Sequence, residues 1–154
     1  MNNSWIVENV PDQQMAYMRQ NGPYGADNHH LMERLKAWAK AHQLVNNDAV
    51  IVGIALDDPH MTAASACRYD VGIIVTSTFV QDNSVQTRTL PGGRYAVFRA
   101  VHTEDGVREA WRKVLEQLPM LNMARDGRVI IERYRISEVA AGYCELCVPL
   151  APRD

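Results

Sequence analysis

Apolar positions along the chain alternate between two periods, and the alternation itself occurs twice. The runs QQMAYMRQNG (residues 13–22) and GGRYAVFRAVHT (92–103) interleave apolar and aromatic residues with polar ones in the manner of strands. Each gives way to a helical period. Leu31, Leu35, Trp38, Ala39 and His42 recur at three- and four-residue spacing, which predicts a first helix with Asp27 as its N-cap. Val107, Ala110, Trp111, Val114, Leu115 and Leu118 hold one face of a second helix. Thr103 is its cap, and Glu104 and Asp105 stand in the first turn, where the helix dipole favours acids. Two further strand runs follow each helix: DAVIVGIALDD (48–58) and CRYDVGIIVT (67–76), then GRVIIERYRIS (127–137) and GYCELCVPL (142–150).

The order strand, helix, strand, strand thus repeats at an offset of about 80 residues, and an internal duplication explains it economically. Met15–Arg19 falls opposite Tyr95–Arg99, Trp38 near the register of Trp111, and Asp70 opposite Glu145. The expected fold is α+β: a single domain over residues 1–154, with pseudo-repeats at about 1–75 and 85–154 related by a pseudo-twofold axis. An antiparallel sheet would carry two helices flanking a central groove, the usual kind of place for a small molecule. Residues 76–93 read as the connection, turning at Pro91-Gly92-Gly93.

Composition narrows the function. The chain of 154 residues is 47% apolar and 22% charged, as in an ordinary globular protein. Sixteen basic against 18 acidic residues leave a net charge of −2, which argues against a surface that neutralises nucleic-acid phosphates. The start of the chain has no leader pattern and no run is long enough to span a bilayer, so the expectation is a cytoplasmic protein that contacts neither membrane nor nucleic acid.

The stretch GYCELCVPL holds two candidate chemistries. Cys144 and Cys147 form a Cys-x-x-Cys pair, but on a strand positions i and i+3 point to opposite faces, and no further ligands stand at standard zinc spacing. They read as buried apolar residues, with no metal and no cofactor expected. Glu145 shares strand parity with Tyr143 and Cys147. A carboxylate in that setting either meets a ligand cation, sits at the surface, or pairs with an arginine such as Arg133. Tyr134 shares parity with Ile130 and Glu132, and Tyr69 precedes Asp70. Tyr24 stands in the loop before the first helix as a possible lid. His29-His30 read as a solvated helix end.

The run LPGGRYAVFRAVHTEDGVREAWRKVL, the following VIIERYRI, the closing CELCVPL and, in the first half, CRYDVGIIV resemble the GyrI-like small-molecule-binding domain family over essentially the whole chain. That domain also forms the effector-binding half of multidrug-responsive transcription activators. The resemblance implies a duplicated β-α-β-β fold with a pocket for hydrophobic, often cationic, aromatic compounds, and a buried glutamate on the last strand as counter-charge, here Glu145. Trp38, Trp111, Tyr134, Tyr69 and Tyr24 are the expected aromatic lining. The activators carry a DNA-binding domain in front of this module; here the strands begin almost at Met1, so a stand-alone module is expected. Hydrolysis of small electrophilic compounds by the same glutamate and a tyrosine is the alternative, and a gyrase-inhibitor-like interaction with an unidentified protein partner is a third.

Overall fold

The computed structural model describes residues 5–76, 78–79 and 81–152. In chain order the elements are β1 (Trp5–Val10), β2 (Gln13–Asn21), α1 (Ala26–Ala41), β3 (Val50–Ala55), β4 (Arg68–Val75), β5 (Gln86–Leu90), β6 (Gly93–Val101), α2 (Glu104–Gln117), β7 (Ile131–Arg135), α3 (Ile136–Ala140) and β8 (Tyr143–Pro149). All strand pairs are antiparallel, in the order β1-β6-β8-β7-β3-β4-β2-β5. Read outward from the central β7–β3 pair, the order is the same on both sides: second, third and first strand of a strand-helix-strand-strand half, then an edge strand.

The repeat holds at the level of side chains. Arg19 lies across from Asp70 on β2 and β4, and Arg99 across from Glu145 on β6 and β8. Two strands escaped the sequence reading. Trp5–Val10 was not distinguished from the strand after it, and Gln86–Leu90 fell inside the presumed connection, of which Ser77 and Val80 lie outside the described residues. Both are edge strands, in which a polar side chain can face water and the alternation is weak.

Each edge strand pairs with the opposite half. Strand β1 runs into β2 but bonds to β6, while β5 runs into β6 but bonds to β2. Only Pro11 and Asp12 separate β1 from β2, although these strands are first and seventh in the sheet. Six strand spacings would place them roughly 29 Å apart in a flat sheet, whereas three chain links reach about 11 Å. The sheet must therefore curl until its edges approach. The two connectors meet: Asp12 Oδ1 accepts the Gly92 N–H at 2.7 Å. A Cβ on Gly92 would press into the backbone of Val10 and Pro11, so a larger residue would force the junction apart.

The curl gives the sheet two unlike faces. Met15, Tyr17, Val52, Ile54, Leu90, Tyr95, Val97, Ile131 and Cys147 fill the concave side. On the convex side α1 packs through Leu31, Leu35, Trp38 and Ala39, and α2 through Ala110 and Val114 against Phe98, Leu146 and Val148. Helix α2 starts as its sequence requires, with the Thr103 hydroxyl accepting the Gly106 N–H at 2.9 Å, a cap worth about 1 kcal/mol. Helix α1 does not: its cap is Gly25, which makes no side-chain bond, and Asp27 stands inside the first turn.

Candidate functional site

Strand β7 alternates its side chains between the two faces. Ile131 and Arg133 point into the concave side, and Glu132 and Tyr134 toward the helices. There they floor a groove on the convex side. Its inner chamber, about 250 Å³, is bounded by Asn28, His29, Met32, Glu33 and Lys36 of α1, by Ile51 and Tyr69 of β3 and β4, and by Ile136 and Val139 of α3. A wider vestibule of about 830 Å³ opens between the first turns of α1 and α2. It is lined by Gly25, Ala26, His30, Thr103, Glu104 and Val107, and shares His29, His102 and Tyr134 with the inner chamber.

Glu132 is the chemical centre of the inner chamber. The Tyr69 hydroxyl donates to its Oε1 at 2.5 Å, and the nearby Trp111 indole also favours its ionised form. Burial holds this carboxyl above the ordinary carboxylate range, and Tyr69 and Trp111 only partly oppose that. Burial and then the charge of Glu132 push the Tyr69 hydroxyl well up, so it remains a proton donor; Tyr134 is raised for the same two reasons. The His102 ring stands edge-on to Tyr134 at 5.6 Å.

The approach of Tyr69 to Glu132 depends on a glycine. Gly53 pairs with Glu132 across β3 and β7, and a Cβ there would lie 2.7 Å from Glu132 Oε1 and closer still to the Tyr69 hydroxyl. Gly53→Ala is therefore expected to spread this pair and lower stability by about 1–3 kcal/mol, through overpacking in a buried strand. Chemical denaturation would measure it, and a loss below about 0.5 kcal/mol would mean that the pair relocates without strain.

Of the residues expected to form the site, Tyr69 and Tyr134 line the groove and Trp111 stands near its carboxylate. Tyr24 is not a free lid. Its hydroxyl accepts the Asp57 N–H at 3.1 Å and lies 2.8 Å from the Arg68 carbonyl, while its ring packs edge-on against Tyr69. Trp38 lies on the other face of α1. Its indole donates to Asp82 at 3.1 Å, its ring stacks on His42 at 4.6 Å, and it belongs to the core beneath the helix. Trp38 and Trp111 are not equivalent in the repeat: with helices starting at 26 and 104, they occupy the thirteenth and eighth positions.

Glu145 points away from the groove. Its strand parity is as read, but the face it shares with Cys147 is the concave one. There it accepts Arg133 Nε at 2.8 Å and lies 3.3 Å from Arg135 Nε. Arg133 spends its other two nitrogens on Glu8, at 2.9 and 3.0 Å. The counterpart in the first half is Asp70, fully buried between Arg19 and Arg88 at 2.7 and 3.0 Å. The acid beneath the groove is instead Glu132, missed although its parity with Tyr134 was visible. His29 and His30, read as a solvated helix end, line the vestibule. Cys144 packs against α2 and Cys147 inside the curl, on opposite faces, and burial pushes their thiols up to about 11 and about 12.

Residues 6–151 match the GyrI-like small molecule binding domain. The chain is 38% identical over 145 residues to YosT, a candidate transcriptional regulator from the SPbeta prophage of Bacillus subtilis (strain 168), covering 94% of this chain and 97% of the relative. It is 27% identical over 151 residues to a DNA gyrase inhibitor of Edwardsiella piscicida, covering 94% and 96%. Its fold superposes on the C-terminal domain of EcmrR with a TM-score of 0.73 at 11% identity, over 97% and 98% of the two chains. On SAV2435, solved bound to tetraphenylphosphonium, the TM-score is 0.64 at 15% identity, over 96% and 93%. No helix among the described residues is long and apolar enough to cross a membrane.

Proposed function

The chain belongs to the GyrI-like small molecule binding domain family, and from that premise we propose that it binds hydrophobic, cationic aromatic compounds in the groove between α1 and α2, with Glu132 as the counter-charge. The observation that carries this reading is the carboxylate itself. Glu132 is largely buried, has no basic partner among its bonds, and is held by one neutral donor, Tyr69, with the Trp111 indole nearby. A buried acid without a cation is costly to ionise, so a ligand that brings the cation gains what the protein lacks. Tyr69, Tyr134 and His102 supply ring faces and edges for the ligand's apolar part. SAV2435, with the same fold, holds an aromatic cation, which supports the ligand class.

The test is a matched set of probes that differ in charge alone. Biphenyl-4-ylmethylammonium should bind and raise the melting temperature, the neutral alcohol should bind more weakly, and the biphenyl-4-carboxylate should leave the melting temperature unchanged. A ligand that binds only the native state stabilises it by about 2.7 kcal/mol at a hundredfold excess over Kd. Equal shifts for the three probes, or a preference for the anion, would overturn the proposal.

The short contact between Tyr69 and Glu132 favours a second reading, hydrolysis of an electrophilic hydrophobic compound. A carboxylate with raised proton affinity can take a proton from water while a neutral phenol donates to the leaving group. Product formation from such a compound, lost in Tyr69→Phe with binding retained, would establish it. Binding without turnover leaves the first reading.

A further inference from the structure

Three of the chain's five histidines meet at the mouth of the groove. His29 and His30 come from the start of α1, and His102 from the turn between β6 and α2. The His29 and His30 ring centroids lie 6.4 Å apart, and His29 Nε2 is 3.9 Å from the exposed Glu33 carboxylate. The inner chamber, about 250 Å³, is smaller than the roughly 300 Å³ at which sites for drug-sized molecules begin. A ligand with its cation at Glu132 therefore extends its body into the vestibule, and His29 and His102, which border both spaces, flank it.

The charges around the groove are too few to offset three imidazoliums. Glu33 and Lys36 of α1 border the inner chamber, Glu132 floors it beside Tyr69 and Tyr134, and Glu104 of α2 borders the vestibule. With neutral imidazoles and an ionised Glu132, three acids against one lysine leave this lining at −2, and three protonated imidazoles turn it to +1. Asp27 and Asp105 stand in the first turns of α1 and α2, against the positive ends of the two helix dipoles. Imidazole is the side chain whose charge changes between about pH 5 and 8.

Resting on the cation reading above, we infer that His29, His30 and His102 form a pH-dependent gate, which opens the groove to aromatic cations at neutral pH and expels them in mild acid. Protonated, the three rings set like charges along the ligand's body and its route to Glu132. Linkage makes the effect reciprocal, so a bound cation drives protons off the same rings. Glu132 by itself accounts for at most one proton exchanged per cation, and the histidines add to it.

The experiment uses (biphenyl-4-ylmethyl)trimethylammonium, whose charge is fixed at every pH, and biphenyl-4-ylmethanol as the neutral control, by calorimetry at low ionic strength between pH 5.5 and 8. A like charge at a solvated position costs a factor of about 1.5–5 in affinity. The loss of cation affinity from pH 8 to 5.5 should therefore be about fivefold or more greater in the native protein than in the combined His29→Gln, His30→Gln and His102→Gln variant. At pH 8, His29→Lys, which fixes the charge in place, should bind the cation about two- to fivefold more weakly than His29→Gln, with the alcohol unchanged between the two. Equal pH dependence in the native protein and the combined variant, or equal cation affinity of His29→Lys and His29→Gln, overturns the gate and leaves Glu132 as the counter-charge. If the cation binds no better than the alcohol to the native protein at pH 8, the cation reading falls and takes this inference with it.

Discussion

Glu132→Gln is expected to remove most of the affinity for aromatic cations while making the empty protein more stable at neutral pH. The substitution keeps an oxygen to accept from Tyr69 and removes the charge. Losing one member of a desolvated charge pair costs about 2–5 kcal/mol, so affinity should fall roughly 30-fold or more, whereas a neutral isostere should change little. The sign of the stability effect follows from burial. Because the folded protein holds this carboxyl above its unfolded value, the native state favours the protonated form. Its contribution is present in acid and is lost as pH rises through the raised folded value. The native protein and the glutamine variant should therefore converge at low pH, with the variant ahead at neutral pH. Cation affinity of the native protein should also rise with pH over the same window, since the ligand must displace the proton. Denaturant melts and calorimetry across pH 4–8 would show this. A glutamine variant that binds cations as tightly as the native protein would exclude Glu132 as the counter-charge.

The second large effect is expected at Arg133, which joins Glu8 to Glu145 on the opposite face. Arg133→Met should lower stability at neutral pH by at most about 3–5 kcal/mol, because it leaves Glu8 and Glu145 with Arg135 alone, 3.3 Å from each. Combining it with Glu8→Gln and Glu145→Gln should restore most of the loss. The pH dependence has the reverse sign to that of Glu132. The Arg133 bond holds Glu8 below its ordinary value against the opposing effect of burial, so its stabilisation is present above that ordinary value and is lost as pH falls through the depressed one. The acid-induced loss should therefore be smaller in Arg133→Met. Glu145→Gln, by contrast, should weaken the fold and leave the preference for cationic over neutral probes unchanged. A selective loss of cation binding in that variant would return the counter-charge to Glu145 and disprove the role given to Glu132.

Local pattern was enough for the elements and for the parity of their side chains. The period of α2, its Thr103 cap, six of the eight strands, the duplication and the opposition of Asp70 to Glu145 all rest on residues close in sequence, where spacing and propensity act directly. Tyr134 with Glu132, and Tyr143 with Glu145 and Cys147, were likewise readable as sharing faces. Which face turns toward the helices was not. In this sheet both faces are buried, one by the helices and one by the curl, so apolar residues occur on both and the pattern cannot label them. The curl arises because β1 and β5 each pair with the other half across about 70 residues or more, a choice made by long-range hydrogen bonding that no local window contains. With it, Glu145 turns inward to Arg133 and Glu132 outward beneath the groove, where Gly53, itself distant in sequence, leaves room for Tyr69 to reach it. The sequence alone thus determined a duplicated α+β domain, whereas only the closure of the sheet decided which of two nearby glutamates lies beneath the groove.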